Sequence, residues 1–193
     1  VSFASPLDLL EKPVNVQKNV RQQALYEAFE RADARMLGLP VYNDLLRVEL
    51  RGFQPWGSSQ IGILITPWCM NLILLPPVEM DQAALAFWQG LSQGQEIDHA
   101  LPCGTVRFVV GDDGMGGLYQ MCSLFSPMDD FLDQKTAQEV ADQTLVAVLI
   151  PEQAVAEADE RAASGQGNAT PPEVSRRDLF RGLRNAASQS EGR

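Results

Sequence analysis

The sequence predicts an α+β fold, a single domain with a mostly antiparallel β-sheet packed by an N-terminal and a C-terminal helix and followed by a flexible C-terminal tail. Three observations carry this. Apolar residues at helical spacing mark both ends of the patterned stretch. Strand-like runs fill its middle. The breaks between those runs are short and rich in Gly, Pro and Asp. The two long helices are expected on one face of the sheet, and the domain is expected to span residues 15–163, between a loose arm (1–14) and a linker with a basic tail (164–193).

The arm holds Pro6 and Pro13 and shows no period. From Asn15, which can cap a helix, Val16, Val20, Leu25, Phe29, Ala32 and Met36 form one stripe; Gly38 ends it and Pro40 blocks its return. Leu46, Val48 and Leu50 alternate with Arg47, Glu49 and Arg51, the pattern of a half-buried strand, with Gly52 expected to begin the turn. Gln60 to Thr66 and Met70 to Leu75 are too apolar to be solvated on either face. Pro76 and Pro77 close that unit. Leu85, Trp88 and Leu91 suggest a short helix over 80–91, and Gln95 to Leu101 reads as a loop or short strand. Thr105–Val110 and Leu118–Phe125 flank a turn with four glycines, Gly111, Gly114, Gly116 and Gly117, and form a hairpin. Ser126-Pro127-Met128-Asp129 reads as a capped helix start, with Met128, Phe131, Leu132, Val140, Leu145, Val148 and Leu149 inward and Pro151 as the limit. Glu152 to Ala163 could add a helical piece, and Ser164 to Pro172 has linker composition.

Charge narrows the function classes. The net charge of −10 is unevenly placed: residues 1–174 hold 10 basic and 23 acidic side chains (−13), and residues 175–193 hold 5 and 2 (+3). An acidic body repels nucleic acid and anionic membrane and attracts basic peptides. No run approaches the ~18 apolar residues of a membrane span, and nothing near Val1 resembles a secretory signal. Three widely spaced cysteines, Cys69, Cys103 and Cys122, suit a reducing compartment, and a cytoplasmic location is expected.

Catalytic chemistry is hard to assemble from these residues. His99 is the one histidine, which excludes a two-His metal site, and it is expected to be exposed and without special role. No Gly-x-Ser-x-Gly elbow, phosphate loop or Cys-x-x-Cys pair occurs. Neither a cofactor nor a metal is expected, and no enzymatic activity. What remains is a recognition surface: Phe53, Trp56, Trp68, Met70 and Met121 lie at turns and strand ends, where aromatics and Met give adaptable contact area. For Trp68 and Met70 a place in the core is equally compatible with the pattern.

Gly52-Phe53-Gln54-Pro55-Trp56 followed by Gly62-Ile63-Leu64-Ile65-Thr66-Pro67-Trp68-Cys69-Met70-Asn71-Leu72-Ile73-Leu74-Leu75-Pro76 resembles the signature of the HybE/HupJ family, as do Leu101-Pro102-Cys103-Gly104 and Cys122-Ser123-Leu124-Phe125-Ser126-Pro127-Met128. The similarity spans roughly Tyr42 to Leu149. It implies a maturation chaperone that binds a [NiFe]-hydrogenase precursor subunit, the small subunit favoured, or its twin-arginine signal peptide before export, together with other maturation proteins. The partner-binding residues would be Phe53, Trp56, Pro67, Trp68, Met70 and Asn71, the apolar ones in one partly exposed patch. An alternative is a metal or redox accessory acting through the cysteines. Some members of the family carry a fused rubredoxin-like Cys₄ unit, which this sequence lacks.

The tail contains Ser175-Arg176-Arg177-Asp178-Leu179-Phe180-Arg181-Gly182, similar to a twin-arginine motif with its apolar pair exchanged. Read as a capped basic amphipathic helix, it presents Leu179, Phe180 and Leu183 on one side. Arg176, Arg177, Leu179 and Phe180 are candidates for a regulatory contact with the acidic body.

Overall fold

The computed structural model describes residues 20–150. The expected arm, the cap at Asn15, the piece over 152–163, the linker and the tail lie outside the described residues. Residues 20–150 form one α+β domain: α1 (Val20–Met36), β1 (Glu49–Trp56), β2 (Ser59–Ile65), β3 (Met70–Leu75), α2 (Gln82–Gln89), β4 (Glu96–Leu101), β5 (Gly104–Asp112), β6 (Leu118–Phe125) and α3 (Gln134–Leu149). The strands make one antiparallel sheet in the order β1-β2-β3-β6-β5-β4. After β3 the chain passes through α2 to the far edge and returns strand by strand to pair β6 with β3.

The central strands decide where the helices go. Every residue of β2 and β3 is buried. Successive side chains of a strand point to opposite faces, so both faces of the sheet need cover. Ile61, Ile63, Ile65, Met70, Leu72 and Leu74 pack with Ala137, Val140, Leu145 and Val148 of α3 and Trp88 of α2. Leu64, Ile73 and Leu75 pack with Leu25, Tyr26 and Phe29 of α1. Each fully buried aliphatic side chain contributes ~1.5–3 kcal/mol. The two long helices therefore lie on opposite faces, not on one as expected. One face could not hold both while the other stayed this apolar.

Two boundaries also differ from expectation. Gly52 does not begin a turn. It lies inside β1 at a register shift between Arg51 and Gln54, with φ +63°, and its missing side chain leaves room for Leu145 of α3. The strand runs on to Trp56 and turns at Gly57-Ser58. Leu46 precedes the strand and packs on the α3 side, whereas Val48 and Leu50 pack on the α1 side.

Ser126-Pro127 does not begin α3. The cap is Asp133, whose carboxylate accepts from the Thr136 backbone N–H at 2.7 Å. A helix begun at Pro127 would give the Met128 and Phe131 carbonyls to N–H groups four residues on. Both carbonyls instead accept from the Asn43 side-chain amide, at 3.0 and 2.8 Å. Residues 126–133 thus form a loop that buries Met128 and Phe131 and leaves Leu132 exposed. The end of α3 before Pro151 agrees with the sequence reading.

Candidate functional site

Part of the sequence signature, the Thr66–Cys69 turn and Ser126-Pro127-Met128, meets at one end of the sheet. The turn between β2 and β3 is built on Thr66. Its hydroxyl accepts from the Cys69 backbone N–H at 2.9 Å and bonds the Cys69 carbonyl at 2.8 Å, while its own N–H donates to that carbonyl at 2.9 Å. Pro67 restricts the backbone at the tip of the turn. Held this way, Trp68 stands out of the turn, half-buried. Its ring stacks with both Phe29 of α1 and Tyr42, each centroid 6.5 Å away.

Two loops frame this turn. Residues 37–48 reach it through Asn43, whose backbone N–H donates to the Pro67 carbonyl at 2.9 Å. Residues 126–133 reach it through Ser126, whose hydroxyl bonds the Trp68 carbonyl at 3.4 Å. The Asn43 amide ties the two loops together. Among the described residues twelve large apolar side chains are exposed, and five of them lie in these loops: Leu37, Leu39, Val41, Leu45 and Leu132. That concentration makes this end the candidate interaction surface. Its electrostatic setting is acidic, since Asp44, Asp129, Asp130 and Asp133 share the two loops with a single base, Arg47.

The expected patch is split by the fold. Phe53 packs on the α1 side and Trp56 on the other, beside His99. Trp56 also lies at the opposite end of β2 from Trp68, some 23 Å along a seven-residue strand. Pro67, Met70 and Asn71 are buried. Met70 is core, under α3, and Asn71 donates to the Cys69 sulfur at 3.2 Å. Of the proposed residues, Trp68 alone is both at this end and partly exposed, and the structure adds Tyr42, Leu45 and Leu132 to it. Tyr42 donates to Asp33, and burial, with that hydrogen bond and the Asp33 charge behind it, pushes the phenol up.

The cysteines do not converge. Cys122 and Cys103 pack on the α3 side; Cys69 sits with Asn71 and Tyr119 on the α1 side. Burial pushes the Cys69 thiol up, against hydrogen bonds from Thr66 and Asn71 that pull it down. Among the described residues no three His, Cys, Asp or Glu side chains come close enough to share a metal ion. His99 is not exposed as expected. It is half-buried on β4, with Nε2 2.7 Å from the Gln120 amide oxygen and its ring among Trp56, Phe87 and Phe108. An edge-strand histidine facing α2 fills core space here, and an amide neighbour neither takes up nor supplies a proton.

Residues 20–182 match the family model described as [NiFe]-hydrogenase assembly chaperone, HybE. The chain belongs to the HybE family. It is 37% identical over 164 residues to the hydrogenase expression/formation protein HupT of Azotobacter chroococcum mcd 1, covering 84% of this chain and 95% of that one. It is 33% identical over 153 residues to the hydrogenase expression/formation protein HupJ of Bradyrhizobium diazoefficiens, covering 79% and 82%. The solution structure of HybE from Escherichia coli shares the fold, with a TM-score of 0.53 and 23% identity over 67% of this chain and 76% of that one. The HybE family match thus takes in both loops and the Thr66–Cys69 turn, and it continues through the basic tail to Gly182. No helix among the described residues is long and apolar enough to cross a membrane.

Proposed function

We propose that this HybE-family chain acts in the cytoplasm, without enzymatic activity, by holding an immature [NiFe]-hydrogenase subunit. The small subunit, through its twin-arginine signal peptide, is the favoured client, and the binding surface is the end of the sheet around Trp68. The observation that carries this is the coincidence of two parts of the family signature, Thr66–Cys69 and Ser126–Met128, with loops that hold five exposed apolar side chains. Thr66 and Pro67 fix a turn, Asn43 and Ser126 dock two loops on it, and the result presents Trp68, Leu45 and Leu132 beside four carboxylates. A signal peptide with a pair of arginines ahead of an apolar stretch complements both features.

Binding of a hydrogenase small-subunit precursor by the purified full chain tests this. Trp68→Ala, and separately Leu45→Ser with Leu132→Ser, should each weaken capture at least tenfold. Leu45 and Leu132 are solvent-facing, so the double variant leaves the core untouched. Full capture by a folded Leu45→Ser/Leu132→Ser protein would place the client elsewhere.

A further inference from the structure

We infer that residues 175–184 of this chain dock reversibly on the Trp68 end of the domain and occupy it when no client is bound.

The chemistry of the two partners matches. The two loops that dock on the Trp68 turn expose Leu37, Leu39, Val41, Leu45 and Leu132. They also hold four carboxylates, Asp44, Asp129, Asp130 and Asp133, against Arg47, and Arg47 itself lies 4.0 Å from Glu49. The segment supplies the converse: Arg176, Arg177, Arg181 and Arg184 against Asp178, with Leu179, Phe180 and Leu183 between them. Guanidinium groups pair with carboxylates through forked hydrogen bonds. An apolar pair set between such charges can enter the same end as Trp68. Elsewhere in the sequence no stretch of ten residues combines four arginines with apolar side chains.

The connection permits it. Asp133 begins α3 at the candidate surface, so Ile150 leaves the domain at the far end of a helix ~24 Å long. Between Ile150 and Ser175 lie 24 residues, which span up to ~80 Å when extended. They can return over the length of α3 with ample slack. The family match covers this connection and the segment through Gly182, so both belong to the family's own extent rather than to an appendage beyond it. Attachment in the same chain presents the segment at an effective concentration near a millimolar. An intrinsic dissociation constant of ~0.1 mM would leave it docked about nine-tenths of the time, and a client would then bind about tenfold more weakly than to the bare surface.

The role in client exchange rests on the proposed function; the docking does not. The test compares amide NMR spectra of the full chain with those of the full-length variant Arg176→Glu/Arg177→Glu/Leu179→Ser/Phe180→Ser, at 50 mM and 500 mM salt. Docking predicts differences confined to residues 37–48, 66–69 and 126–133, with β4 and β5 unchanged. In high salt the full chain should move toward the variant, because charge attraction is screened. Coincident spectra at low salt, or differences spread over other faces, overturn the inference. A hydrogenase small-subunit signal peptide should bind the variant about tenfold more tightly than the full chain. If the spectra differ as expected but neither protein binds that peptide, the docking stands and the assignment of the client fails.

Discussion

Asn43 is the side chain on which the candidate surface depends most. Its Nδ2 donates to the Met128 and Phe131 carbonyls at 3.0 and 2.8 Å, and its Oδ1 accepts from the Leu45 N–H at 3.1 Å. In Asn43→Ala all three bonds are lost. At ~1 kcal/mol for each of the two half-buried bonds, and a few tenths for the exposed one, the cost is ~2 kcal/mol. With a urea slope of ~2 kcal/mol/M the midpoint should fall by ~1 M at unchanged slope. Asn43→Asp makes the sharper test. The new carboxylate keeps the acceptor for Leu45 but faces two carbonyl oxygens with no proton to give. It should cost a further ~1–2 kcal/mol at neutral pH. Its folded-state pKa would be raised, so the extra defect is full above that raised value. It shrinks as pH falls toward the unfolded value of ~3.9, since the neutral acid can donate to one carbonyl. Urea midpoints of the three proteins between pH 4 and 8 measure this. Equal midpoints for Asn43→Ala and the parent, or an Asn43→Asp defect that does not change with pH, would refute the staple.

Three further outcomes follow from the packing. Gly62→Ala places a methyl group on the Phe53 ring and should cost ~1–3 kcal/mol; adding Phe53→Ala should recover part of that, a non-additivity read from denaturation midpoints. Gly52→Ala should destabilise through both its positive φ and contact with Leu145, and Gly57→Ala, with equal φ sign but open space, should cost less in the same assay. Burial pushes the Glu49 carboxyl up, but hydrogen bonds from Gln138, Arg51 and Gln134 outweigh it and hold the group below its ordinary range. Its contribution is therefore present above the unfolded value of ~4.3 and is lost as pH falls through the lower folded value. Glu49→Gln should flatten the acid limb of stability by under ~1 kcal/mol, the group being partly exposed.

The parts of this fold that were legible in the sequence are those governed by local pattern. The stripe through Leu25 and Phe29, the turn glycines at 114 and 116 and the doubly apolar β2 and β3 each carry their own signal. A local signal with two outlets does not decide the fold by itself. Gly52 offers a positive φ to a turn or to a bulge, and only Leu145, 93 residues away, selects the bulge. Ser126-Pro127 and Asp133 both fit a helix start, and the choice is made by Asn43, more than 80 residues earlier. The opposite placement of α1 and α3 was implied by the apolarity of both faces of β2, yet no helix states which face it takes. At the site the signature marked Trp68, but its stacking partners Phe29 and Tyr42 belong to no motif. Met70 and Asn71 sit within the most distinctive string of residues, where period-two alternation sends them to opposite sides of the sheet and into the interior.

The margins of the sheet bear on how anything can be held. An unpaired strand invites another backbone to add to it. Here β1 is kinked at Gly52 and carries Pro55, which has no N–H to offer. On the opposite margin, Glu96 and Asp98 of β4 are exposed and engaged by Arg107 of β5. Charges and a bulge are the means by which natural sheets discourage strand addition. With both flanks guarded in this way, the half-buried Trp68 and the exposed Leu45 and Leu132 offer side chains rather than strand edges for contact at that end. On the proposed function, a client at that end would be held by side chains and could be let go, rather than being woven into the sheet.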